Sequence, residues 1–113
     1  MAIFSPWSVV VVRFPFIDRR QITRRPAVVL SPERFQTDHQ CAVLGMITDA
    51  RNPRWPSDVT LRDLAATGLC LSSVFRCKLL TLKTQLILSQ IGMLSPRDKV
   101  AVLRALHRAM ASR

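Results

Sequence analysis

Tyrosine is absent, and acidic residues number only seven against seventeen basic ones, which leaves a formal net charge of +10. An excess of that size calls for a polyanionic ligand or an acidic protein partner. The alternative is a solubility charge, and charge alone says nothing about catalysis. Three of the seventeen basic residues are lysine, so fourteen are arginine. Arginine stays charged and grips phosphate or carboxylate bidentately, which favours specific anion contacts over a diffuse lysine tail. Cysteine is scarce too: Cys41, Cys70 and Cys77 are odd in number and show no C-x-x-C spacing. A disulfide framework is therefore not expected. A zinc site would have to draw on His39 and His107, so the cysteines read as ordinary small buried residues. No apolar run approaches the ~20 residues of a membrane span. Nor is there a basic leader followed by a cleavable apolar stretch, so a cytoplasmic protein is expected.

What is present is enough apolar material for one core. Hydrophobic residues make up 49% of 113 positions, which fits a single folded domain over 1–113. Two valine-rich runs, Ser8 to Phe14 and Arg25 to Ser31, read as buried strands. The connection from Arg19 to Arg25 holds four arginines. Pro32 to Phe35 reads as one helical turn, Thr37-Asp38-His39 as a polar turn, and Gln40 to Thr48 as a third strand. Asp49 to Pro56, with two prolines and two arginines, must be a loop. Leu61 to Ala66 has helical spacing and ends at Gly68, a C-cap residue. Ser72 to Leu82 and Leu86 to Leu94 supply two further strands. Ser95, Pro96 and Asp98 then mark a helix start as N-cap, first helical residue and capping-box partner. Val100, Leu103, Leu106 and Met110 are expected to line its core-facing side as far as about Ala111. The residues by themselves thus predict a mainly β fold with helices: a small barrel or sandwich, a short inserted helix and a C-terminal amphipathic helix.

The run VVVVRFPFIDRRQITRRPAVVLS, Val9 to Ser31, resembles the opening of the MazF/PemK family of toxin endoribonucleases. Ile47-Thr48, Trp55-Pro56-Ser57-Asp58-Val59, Ala65 to Leu69, Ser73-Val74, Arg76-Cys77-Lys78-Leu79 and Ile91 to Ser95 resemble later family motifs in the right order. Three positions depart from the pattern. Trp7-Ser8 stands where Gly-Asp usually opens the first strand. Arg19, Arg20 and Gln21 occupy a loop where many members carry a carboxylate. Lys78 lies where some members place an aspartate. The resemblance implies a PemK-like, SH3-like barrel that needs neither metal nor cofactor. It also implies a homodimer, single-stranded mRNA as substrate and an acidic antitoxin as partner.

The implied chemistry is attack by the RNA's own 2′-hydroxyl, leaving a 2′,3′-cyclic phosphate and a 5′-hydroxyl. It needs a proton acceptor, charge neutralisation at the phosphorane and a proton for the leaving oxygen. Arg25 and Thr48 match the family's functional arginine and threonine. Arg25 is a poor general base, since guanidinium does not give up its proton. The plain alternatives are a solvated strand-end arginine and an ordinary β-branched strand residue. Arg19, Arg20, Arg24, Arg51, Arg54 and Arg76 are the expected RNA contacts, with Trp55 or Phe16 to stack on bases; Arg76 has structural pairing as its alternative. Asp18, Asp49 and His39 are the available bases, and the residues do not choose among them. Two other functions stay open. One is a CcdB-like poison that binds gyrase through the same barrel; the other is a family member that binds RNA without cutting it.

Overall fold

The computed structural model of the chain describes residues 2–14 and 23–111. Six strands form one antiparallel sheet: β1 Ser8–Phe14, β2 Thr23–Val29, β3 Cys41–Asp49, β4 Val59–Thr60, β5 Ser73–Lys83 and β6 Ile87–Met93. Their order across the sheet is β4-β5-β3-β2-β1-β6. The mainly β class with helices is as expected. Among the described residues the sheet is open, with β4 and β6 at its edges, so the expected barrel does not close.

The unbroken valine run of β1 has a direct cause: both faces of the central strands are covered. Val10, Val12, Ala27, Val29, Leu44 and Met46 form a core on one face. Val9, Val28, Ile47, Phe75 and Val102 form a second core on the other. Successive residues alternate between the two, so a continuous apolar run is required where one-sided burial would need alternation. Fully burying each valine stabilises the fold by roughly 1.5–3 kcal/mol.

Gly45 in β3 is fixed by the second core, because a Cβ there would overlap the ring of Phe75. One step further, the register of β3 with β5 jumps from Gly45↔Leu79 to Met46↔Arg76, leaving Cys77 and Lys78 as a bulge. A bulge bends its strand and re-aims the adjoining side chains, and Arg76 lies directly beside it.

Three helices complete the fold: α1 Glu33–His39, α2 Leu64–Thr67 and α3 Pro96–Ala109. α1 is longer than the single turn expected. It absorbs Thr37-Asp38-His39 and stops at Gln40, which is left-handed at φ 54°. Its buried Gln36 explains the extension. The side-chain amide donates to Phe4 O (2.7 Å) and accepts from Phe4 N (2.9 Å), pairing the N-terminal segment as a strand would. α2 ends at Gly68 as expected, with φ 75° and no room for a Cβ against the Ile91 carbonyl.

α3 begins as expected, with Ser95 Oγ accepting from Asp98 N at 3.2 Å. Its rotation differs. Asp98 does not complete a capping box; its buried carboxylate accepts from the backbone N–H groups of Arg62 (2.9 Å) and Asp63 (3.0 Å). That inward anchor carries Val102 and Ala105, four and seven residues on, into the core. Leu106 is partly buried against the second cluster. Val100, Leu103 and Met110, expected to face inward, are exposed at 47%, 44% and 53%.

Candidate active site

Arg25 sits near the start of β2 and Thr48 near the end of β3. The two strands run antiparallel with Ala27 opposite Met46, and both of those residues belong to the first core. The pairing of β2 with β3 ends there, and Arg25 and Thr48 lie two residues beyond it on their own strands, an even step in the alternation of side chains. Both line a cleft of about 330 Å³ at the sheet's end, together with Arg24, Asp49, Asn52 and Cys70. The sequence thus brings an arginine and a hydroxyl to one place from positions 23 residues apart. Arg24, beside Arg25 in β2 and also at the cleft, pairs across strands with Arg13. Both are exposed, so two like charges stand side by side, an arrangement that an anion relieves.

The loop after β3 borders the cleft and is tightly organised. Asp49 Oδ1 accepts from Arg51 N (2.9 Å), and the Asp49 carbonyl accepts from Asn52 N (3.0 Å), so two turns overlap. The Arg51 guanidinium closes on the Asp49 carboxylate, with Nη2 2.7 Å from Oδ2. These Arg51 hydrogen bonds, side chain first and backbone second, hold the Asp49 carboxyl at about 2, down from 3.8. So weak a base takes a proton reluctantly, and the geometry gives Asp49 a loop-clamping part. The turn delivers Asn52 over Thr48: Asn52 Nδ2 donates to Thr48 Oγ1 at 2.8 Å. Asn52 was not among the residues singled out from the sequence. The only hint was its place four residues beyond Thr48 in a run of turn-forming residues.

Arg76 lies further from the solvent than an RNA contact would. Its Nε and Nη2 grip Asp58 Oδ1 and Oδ2 at 3.0 and 2.9 Å, and Nη2 also donates to Pro53 O at 2.7 Å. The guanidinium stacks over Trp55, 4.8 Å from the ring centroid, and so occupies one face of that indole. The side chains of Arg76 and Asp58 are 14% and 1% exposed. Their mutual hydrogen bonds hold the Asp58 carboxyl below its ordinary value and the Arg76 guanidinium above its own. The pair ties the loop to β5.

Arg54 reaches Thr60 Oγ1 at 3.3 Å on the same loop. His39 lies at the far end of β3, roughly 20 Å along the strand from Thr48 at ~3.3 Å per residue. It lines a separate cleft of about 460 Å³ with Cys41 and Lys83. Arg19, Arg20, Asp18 and Phe16 lie outside the described residues. Cys41 and Cys77 are half-buried, whereas Cys70 is exposed at the cleft, contrary to the expectation of burial. Among the described residues, no three His, Cys, Asp or Glu side chains gather closely enough to hold a metal ion.

The six-stranded antiparallel sheet with three helices is a MazF-like fold. Crystal structures of MazF from Deinococcus radiodurans share it. One (Form-I) has 22% identity and a TM-score of 0.75 over 96% of this chain and 97% of that one. A MazE-MazF structure from the same organism (Form-III) has 21% identity and a TM-score of 0.77, with 96% of each chain covered. Mycobacterium tuberculosis toxin MazF-mt6 has 21% identity and a TM-score of 0.71, over 90% and 94% of the two chains. A search of curated proteins finds no match. The family model for the PemK-like, MazF-like toxin of type II toxin-antitoxin systems matches residues 5–110. The chain belongs to that family.

Proposed function

We propose that this toxin is a sequence-specific endoribonuclease that cuts single-stranded mRNA without a metal. In the reaction, the 2′-oxygen forms a bond to the adjacent phosphorus and the bond from phosphorus to the 5′-oxygen breaks. The 2′-hydroxyl loses its proton to a base and the departing 5′-oxygen gains one, so no water is consumed in making the cyclic phosphate. The observation that carries this reading is that Arg25 and Thr48 both line one cleft. A guanidinium there neutralises charge as it builds on the phosphorane, and the hydroxyl donates to a phosphate oxygen. Arg24 in the cleft, with Arg51 and Arg54 on the loop that borders it, suits the RNA backbone. By likeness to the mycobacterial endoribonuclease in complex with its cognate antitoxin and to the MazE-MazF structure, we assign this chain an antitoxin partner; its +10 charge suits an acidic one, and we assign it a homodimeric state.

The test is incubation of purified protein with long single-stranded RNA in EDTA, beside an Arg25→Ala control of intact fold. Discrete cuts bearing 5′-hydroxyls, lost in the control, are expected. Intact RNA with growth arrest that survives Arg25→Ala would instead point to a protein target such as gyrase. Intact RNA that still binds would mark an inactive family member.

A further inference from the structure

Thr48 can help at a phosphate only as a donor, because phosphate oxygens at neutral pH are acceptors. A hydroxyl has one proton and two lone pairs, and its neighbours decide which of them faces the ligand. Asn52 Nδ2 donates to Thr48 Oγ1 at 2.8 Å, which occupies a lone pair and leaves the hydroxyl proton available for the ligand. The Asn52 backbone is itself held from below. Its backbone N–H is bound by the Asp49 carbonyl, and the Asp49 carboxylate is bound by Arg51. Hydrogen bonds within the turn thus fix the backbone that carries Asn52, and the Asn52 side chain reaches a hydroxyl in the cleft.

We propose that Asn52 is a positioning residue that fixes the direction in which the Thr48 hydroxyl donates; this rests on the endoribonuclease reading above. Asn52 does not itself touch the reacting phosphate. It acts through Thr48, so its contribution exists only while that hydroxyl is present. A second consequence follows from the direction of the bond. An aspartate at position 52 keeps the shape but can only accept, so it would take the Thr48 proton that the phosphate needs.

The experiment measures single-turnover cleavage of a short RNA containing a mapped cut site, at saturating protein, for wild type, Asn52→Ala, Asn52→Asp, Thr48→Val and Thr48→Val/Asn52→Ala. RNA affinity and thermal unfolding are read on the same variants. Asn52 is exposed, so its replacement leaves the fold intact. Loss of one hydrogen bond predicts cleavage about tenfold slower for Asn52→Ala, with affinity within about twofold. Asn52→Asp is slower still, and the double variant is no slower than Thr48→Val alone. Equal losses from Asn52→Ala with and without Thr48, or Asn52→Asp no worse than Asn52→Ala, would overturn the proposal. Thr48→Val cleaving at the wild-type rate would overturn it by removing Thr48 from the reaction. Wild-type protein that cuts no RNA would overturn the endoribonuclease reading, and the proposal with it.

Discussion

Trp7 shows how a single backbone angle explains a departure that the sequence could only record. It stands where the family resemblance leads one to expect glycine, and its φ is 73°, in the left-handed region that favours glycine. A tryptophan there costs about 1–2 kcal/mol. The site is held by Trp7 N donating to Val29 O (2.7 Å) and Leu94 N donating to Trp7 O (3.0 Å). The indole offsets the strain by packing on the second core, with Lys99 above the ring. Trp7→Ala keeps the strain and loses the packing, whereas Trp7→Gly loses both. Urea unfolding should therefore find Trp7→Gly the less destabilised of the two by about 1 kcal/mol, the reverse of the usual strand order. Alanine as the more stable variant would remove strain from the account. At this scale Arg25 and Thr48 were legible only through family resemblance, because nothing in their local sequence says that two strand ends meet. Asn52 was illegible for a related reason: its partner is set by the turn, and the turn by an Asp49–Arg51 clamp that spacing alone does not reveal.

At the scale of elements, Arg76 and Asp58 make one structural unit out of β5 and the loop after β3. Sequence reading left Arg76 open between an RNA contact and structural pairing, since its partner lies 18 residues away and the bulge at Cys77-Lys78 that aims it leaves no mark in composition. Arg76→Ala leaves the buried Asp58 carboxylate uncompensated, which costs about 3 kcal/mol. The expected signature is a large drop in unfolding midpoint together with greater protease sensitivity across residues 50–58. Weakened RNA binding with an unchanged midpoint would return Arg76 to the RNA interface. Elements with local signals were legible: the Ser95-Pro96 helix start, the Gly68 cap and the valine strands. The rotation of α3 was not. The helix carries two apolar stripes, and the choice between them is made by Asp98 bonding the Arg62 and Asp63 backbone. The length of α1 was hidden likewise, since it depends on Gln36 pairing with Phe4.

For the whole molecule, the +10 charge is the property the sequence declared most openly. Arg24 and Arg25 line the cleft, and Arg51 and Arg54 lie on the loop after β3 that borders it. Single-stranded RNA that neutralises four such charges should show a log affinity against log salt slope of about −3. Affinity should then fall about 50-fold between 50 and 200 mM salt. A titration by fluorescence anisotropy at several salt concentrations checks this, and a slope near zero would contradict a phosphate-based interface. No helix among the described residues is long and apolar enough to cross a membrane. The most direct measurement of the central claim remains cleavage of long single-stranded RNA in EDTA by the wild type and by Arg25→Ala, with the new 5′ ends mapped. The account predicts cuts at one short recurring sequence, each bearing a 5′-hydroxyl and each absent from the variant. RNA left whole by a folded wild-type protein, or cut equally by both proteins, would contradict it.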